Sequence, residues 1–411
     1  MKKISRKQFV QRSALGMGSV LVFSGFGYSL LNSSGDSVKT KTASGDFVKA
    51  RTAFGKVKGI RENGVNIFRG IPYAGRVSGD RRFRRPASLE PWKGVRDALL
   101  LGHPAIQAPK QTYGINEPAP DEDCLVLNVW TPANDHKKRP VMFYNHGGGF
   151  TSGSGESVAQ DGSNLARNFD VVVVETNHRL SLMGFLYLDE IGGKDYAGSG
   201  NNGMPDIVDG LKWVNQNIAE FGGDPGNVMI FGESGGGAKT SCLFAMPGAA
   251  PYFNKASIES GPGIRVTTSD VAAETTAVLL KELNIAPQDW RKLLDITASD
   301  LLAIQSKLPR LAAAGRTAGR SRGIGASGAG GFRPVLDGVA LLNYPFDPTA
   351  PEISRNKPLI VGWSEDEYTF FAMSGGDTSG FNLDFEGLHK KLEPRYGENT
   401  GSKRTVRLAC I

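Results

Sequence analysis

The stretch best equipped for chemistry is Gly232-Glu233-Ser234-Gly235-Gly236, a serine set among glycines directly after the apolar run Val228-Met229-Ile230-Phe231. Where a strand turns straight into a helix, the serine must take a strained backbone and flanking side chains would collide, so glycine is required on both sides. Such a turn lifts Ser234 Oγ above the carboxyl end of a sheet, where a helix N-terminus aims N–H groups at developing negative charge. Without the preceding strand the same pattern is only a glycine-rich turn carrying an incidental serine. A serine hydroxyl is a weak nucleophile, and the reaction also needs oxyanion donors, a base, and a group that orients the base. His146-Gly147-Gly148-Gly149-Phe150 offers the donors, because a run of glycines lets backbone amides approach a substrate oxygen unobstructed. His146 itself reads as structural, not as a proton carrier.

These segments need a frame. Val141-Met142-Phe143-Tyr144, Val171-Val172-Val173-Val174 and the run before the serine are short, continuously apolar and rich in β-branched or aromatic residues. That is the pattern of strands buried on both faces of a mostly parallel sheet. Between the last two, Ile207, Val208, Leu211, Val214 and Ile218 recur at helical spacing, and Phe221-Gly222-Gly223-Asp224-Pro225 closes the helix. Strand, helix, strand is a parallel-sheet unit, so the expected fold class is α/β, with helices on both faces of a central sheet. Residues 271–308 read as helix-rich and 312–331, dominated by Ala, Gly, Arg and Ser, as a mobile loop. Leu359-Ile360-Val361 reads as one more buried strand, followed by the acidic Glu365-Asp366-Glu367.

Composition excludes several classes. The chain has 411 residues, 40% hydrophobic and 22% charged, enough for a large core in one domain. The net charge of +7 is dispersed, and its one dense cluster, Arg81, Arg82, Arg84 and Arg85, reads as a solvated basic loop, so no nucleic-acid partner is expected. Three cysteines make no framework and no metal site is implied. Lys2, Lys3, Arg6 and Lys7 precede an apolar run over 14–31, the layout of an export signal, and 5–10 resemble a twin-arginine signal with Lys in the second basic position. An uncleaved anchor is the alternative. The expected layout is a signal or anchor over 1–31, a linker over 32–47, a catalytic domain over 48–396, and a basic tail over 397–411. The expected location is periplasmic or secreted, with no stable membrane insertion beyond the signal.

Several further segments carry a family resemblance. Phe68-Arg69-Gly70-Ile71-Pro72-Tyr73-Ala74, Glu122-Asp123-Cys124-Leu125-Val126-Leu127-Asn128-Val129 and the stretch 221–237 resemble, in order, signatures of the type-B carboxylesterases, the family of cholinesterases and bacterial para-nitrobenzyl esterases. The resemblance implies an α/β-hydrolase fold, Ser234 as nucleophile, and the amides of Gly148, Gly149 and Gly235 as oxyanion hole. It also implies Glu367 as the acid that orients the base, with Glu365 and Asp366 next in line. The implied partner is a small-molecule carboxylic ester, with no cofactor.

Departures from the family pattern accompany the matches. Cys124 resembles half of a family disulfide, but 103–107 holds no cysteine to pair with it. Gly235 stands where many members have alanine, and His178 where tyrosine is usual. The catalytic histidine of the family comes well beyond the acid, and here only His389 follows Glu367, in a stretch that reads as a solvated helix. The other four, His103, His136, His146 and His178, precede the serine. The base is therefore expected to be missing and the fold incomplete at its C-terminus, with 401–411 resembling a truncated or frameshifted end. Two rival functions follow: a catalytically silent, binding-only member of the fold, and an amidase or transacylase on the same serine.

Overall fold

A computed structural model describes residues 46–108, 117–155, 160–308, 331–367 and scattered positions from 369 to 393. The segment expected to be an export signal or anchor, most of the expected linker and of the Ala/Gly-rich stretch, and the basic tail lie outside the described residues.

Twelve strands occur among the described residues, the first six before any α-helix. Strands β1 (Asp46–Thr52), β2 (Gly55–Glu62) and β3 (Val65–Pro72) form an antiparallel meander, and β4 (Val95–Asp97) lies beside β2. The sheet continues through β5 (Val126–Thr131), β6 (Arg139–Tyr144), β7 (Val172–Thr176), β8 (Gly223–Glu233) and β9 (Lys255–Glu259). Its spatial order is β1-β2-β3-β5-β7-β6-β8-β9, and the last position, beside β9, is taken by β12 (Leu359–Gly362). Along this order every pair from β7 to β12 is parallel and every pair from β1 to β7 antiparallel, while β4, off the path, pairs parallel with β2. The sheet is thus mixed, and its parallel half carries the Ser234 turn. Two-residue strands β10 (Thr267–Thr268) and β11 (Val335–Leu336) pair separately.

Six α-helices accompany the sheet among the described residues: α1 (Ser163–Phe169), α2 (Ser181–Phe185), α3 (Gly203–Asn217), α4 (Gly235–Ala245), α5 (Ser269–Glu282) and α6 (Ala298–Lys307). Successive strand residues face opposite sides, which the four valines of 171–174 make visible. Val172 and Val174 enter the main core with Ile207, Leu211, Val214 and Leu243 from α3 and α4. Val171 and Val173 enter a smaller core with Ala166 of α1 and with Trp130, Val65 and Ile67. Burial on both faces explains why the run is uniformly apolar instead of alternating. Helix α3 passes through a short 3₁₀ turn (Ile218–Phe221) and stops at Gly222, whose φ of 78° is the left-handed stop that glycine tolerates.

Two expectations from the sequence are corrected. The arginine cluster is not a solvated loop: Arg82 is buried, pairs with Glu122 and donates to the carbonyls of Leu294 and Ile296. Arg84 stacks on Tyr196 and Arg85 pairs with Asp209. A guanidinium can lose its hydration only where acceptors replace the water, and this loop folds onto them. Likewise, 359–361 forms a strand as read, but not a buried one, because β12 is the outermost strand among the described residues. Ile360 is 67% exposed and Val361 43%.

Cys124 and Cys242 are both buried and unbridged. Burial pushes the Cys242 thiol up to about 12, so it is inert at neutral pH. Among the described residues, no helix is long and apolar enough to cross a membrane.

Candidate active site

Strand β8 ends at Glu233 and α4 begins at Gly235, leaving Ser234 alone to turn the chain, with φ 55° and ψ −120°. For a residue with a Cβ this conformation is strained, on the order of 1–3 kcal/mol, and surrounding contacts must hold it. They do so on both sides. The Ser234 N–H donates to the carbonyl of Glu259 at the end of β9 (2.9 Å), and its carbonyl accepts from Ala238 N–H (3.1 Å) in the first turn of α4. A methyl group on Gly232 would lie 2.5 Å from the Asn145 carbonyl, and one on Gly236 would run into that same atom. The glycines of the motif are needed because the end of β6 crosses directly beneath the turn.

The loop after β6 lies against the serine. A Cβ on Gly147 would be 3.9 Å from Ser234 Cβ, and one on Gly235 would collide with the Gly149 backbone. Gly148 (φ 83°) and Gly149 (φ 63°) take backbone angles that glycine alone adopts freely. Three successive carbonyls of this loop are tied down. That of His146 accepts from Lys239 Nζ (2.7 Å), that of Gly147 from the His146 ring at Nδ1 (2.9 Å), and that of Gly148 from Ser152 N–H and Oγ (3.2 and 3.0 Å). In a trans peptide the N–H points opposite to the C=O. Each tied carbonyl therefore turns the N–H of the following residue, Gly147, Gly148 and Gly149 in order, to the opposite side of its peptide plane. Gly148 is exposed and Gly149 half-buried.

Glu367 is brought to the same end of the sheet through β12. Ser260 N–H donates to the Gly362 carbonyl (2.8 Å), which joins the residue after Glu259 to the end of β12, five residues before Glu367. Glu367 Oε2 accepts from Ser364 N–H (3.0 Å), and its charge is felt by Glu233, next to the nucleophile. Glu233 is held above the ordinary glutamate range, first by desolvation and then by the charges of Glu367 and Glu259. Burial, and after it the charges of Glu175 of β7, Glu233 and Glu259, oppose ionisation of Tyr144 at the end of β6. Glu365 and Asp366 are exposed.

The structure thus brings Gly147 close to Ser234 and Gly149 against Gly235, and sets Glu367 within electrostatic reach of Glu233, next to Ser234. The ring hydrogen bonds that the structure describes for histidines run to backbone carbonyls, His103 to that of Ala119 and His146 to that of Gly147, and not to Ser234. His136 is exposed. His146 and His178 are buried and stacked on each other, 4.5 Å between centroids. His389 is half-buried.

Two elements of the site escape sequence reading. Glu259 supplies a backbone acceptor, which no side-chain motif encodes. Lys239 is fully buried although lysine in a helix ordinarily signals a solvated face.

A Bacillus subtilis para-nitrobenzyl esterase is 39% identical over 77% of this chain and 63% of its own length. A Pseudarthrobacter oxydans phenmedipham hydrolase is 31% identical over 85% of this chain and 67% of its own. Among solved structures, a Geobacillus stearothermophilus carboxylesterase superposes with a TM-score of 0.72 at 36% identity, covering 85% of this chain and 69% of that one. An esterase from Clostridium hathewayi gives 0.68 at 34%, covering 86% and 70%. The chain therefore spans about two thirds of the length of these relatives. The carboxylesterase family profile matches residues 46–400, nearly all that lies beyond the N-terminal segment, and the chain belongs to that family.

Proposed function

We propose that this chain hydrolyses carboxylic esters of small molecules through an acyl-Ser234 intermediate. The observation that carries the reading is the strained Ser234 turn, φ 55° and ψ −120°, with the glycine loop pressed against it. In this mechanism Ser234 Oγ adds to the ester carbonyl, and the oxyanion so formed accepts from the N–H groups of Gly148, Gly149 and Gly235. Collapse of this adduct breaks the bond to the alcohol, which leaves with the proton from Ser234. Water then adds to the acyl-serine and releases the carboxylic acid. No cofactor takes part.

The serine proton travels by way of a base, which Glu367 would orient. The test is hydrolysis of para-nitrophenyl acetate and butyrate by the full chain, by Ser234→Ala and by His389→Ala. Turnover that vanishes in Ser234→Ala and persists in His389→Ala is the expected result. Equal rates in the full chain and Ser234→Ala would overturn the proposal and favour a binding-only role.

Export under the basic and apolar N-terminal segment belongs to the same proposal, supported by its charge and hydropathy order. N-terminal sequencing of protein recovered from the periplasm should begin past residue 31. An uncleaved N-terminus in the membrane fraction would replace the export signal with an anchor.

A further inference from the structure

Helix α4 buries a basic side chain directly behind the glycine loop. Lys239 stands five residues after Ser234 and is fully buried, and its Nζ donates to the His146 carbonyl at 2.7 Å. The Phe150 ring lies beneath it, 5.9 Å from Nζ to the centroid. The His146 ring stacks on that of His178, with 20° between their planes. His178 is wholly enclosed, and neither ring nitrogen has a hydrogen-bond partner. The basic groups facing one another here are therefore Lys239 from α4, His146 from the loop after β6 and His178 from the segment after β7. Among the described residues no carboxylate forms an ion pair with Lys239, and burial alone holds its pKa well below the ordinary lysine value. Burial likewise depresses His178, with Lys239 and His146 adding to the effect.

A buried amine with one carbonyl acceptor and no counter-charge is a poor way to stabilise a fold, and an apolar side chain of the same length would pack more favourably there. What the amine does supply is a tie between two parts of the site. We propose that Lys239 is a positioning residue that fixes the oxyanion loop to the helix beginning at Ser234. Of the three tied carbonyls, that of His146 is the first, and among the described residues its donor, Lys239, comes from outside the loop whereas those of the other two come from within it. The two peptides beyond it are flanked by glycines at positive φ, which other conformations cost little. Asn145 Nδ2 ties the start of the loop to Thr240 Oγ1 of the same helix (2.9 Å) and Ser181 N–H ties its far end at the Phe150 carbonyl (2.8 Å), so Lys239 adds the tie that acts on the His146 peptide, next to the oxyanion amides.

The test uses the full chain with Lys239→Met, which keeps length and loses the donor, and Lys239→Gln, which keeps a shorter N–H donor and serves if the first variant fails to fold. Quench-flow hydrogen exchange over 145–152 should accelerate about fivefold or more in Lys239→Met and less in Lys239→Gln, while the unfolding midpoint stays level or rises. Resting on the esterase reading, kcat for para-nitrophenyl butyrate should fall about 10- to 100-fold with KM within twofold, because misplaced oxyanion donors are lost in the transition state only. Unchanged loop exchange would overturn the inference, as would faster exchange with unchanged kcat. If the parent shows no Ser234-dependent turnover, the esterase reading fails and loop exchange alone decides the role of Lys239.

Discussion

Glu233 sits between the nucleophile and two other carboxylates, and its position makes a prediction about pH. Its pKa in the fold is raised, first by desolvation and then by Glu367 and Glu259, so the folded protein holds this proton to a higher pH than the unfolded chain does. The sign follows from linkage. Stability from this group is fully present below the ordinary glutamate value and is lost as pH rises through the raised one. Replacing Glu233 by Gln removes the group that must ionise against its neighbours. The unfolding midpoint of Glu233→Gln, followed from pH 4 to pH 8, should rise relative to the parent as pH increases. A gap that stays constant or narrows would show that Glu367 and Glu259 do not press on it. Glu233 is exposed at its outer edge, so solvent screens part of the effect.

At the scale of elements, the site depends on how the segment after β7 is held against α3. Arg179 and Asp206 form the tie: the guanidinium donates to both Asp206 oxygens (2.8 and 2.7 Å), and Arg179 N–H adds a third bond (3.1 Å). Both side chains are buried, at 3% and 0% exposure, and Arg179 Nη1 also donates to the Arg84 carbonyl. Removing one partner strands the other charge out of water. Asp206→Ala should therefore cost about 3–5 kcal/mol in urea unfolding, whereas replacing both residues by apolar ones of similar size should cost much less. Equal losses in the single and double variants would mean that packing, not the stranded charge, sets the cost. Elements of this kind were only partly legible in the sequence. The β8-Ser234-α4 turn and the β6 loop could be read because their demands are local: an apolar strand, then glycines where a neighbouring backbone leaves no room. The partners of Arg179 could not, since Asp206 lies 27 residues away and nothing in a lone arginine announces a buried acid. Lys239 was illegible for the same reason. A lysine in a helix reads as solvent-facing until the fold shows a carbonyl at its tip and no water around it.

At the scale of the whole molecule, the sheet has two unlike ends. The β1 end is a meander with Lys49, Arg51, Lys56 and Lys58 along it, charges that discourage further strand pairing. The β12 end carries Ile360 and Val361 on the outermost strand described and Trp363 just after it, all exposed. Sequence reading took the apolar 359–361 for a buried strand, because hydropathy reports which residues favour burial and not whether a neighbour provides it. Among the described residues no strand pairs with the outer edge of β12, and an apolar edge left so invites another strand, for which self-association is the cheapest source. Light scattering of the full chain at micromolar concentration should therefore show slow growth of large particles on mild warming. Ile360→Lys should suppress that growth without lowering the unfolding midpoint, since the side chain is two-thirds exposed and contributes little packing. Growth at the same rate in Ile360→Lys would place the sticking surface elsewhere. A drop in the midpoint would instead mean that the edge of β12 is covered in solution, and that Ile360 packs against the segment that covers it.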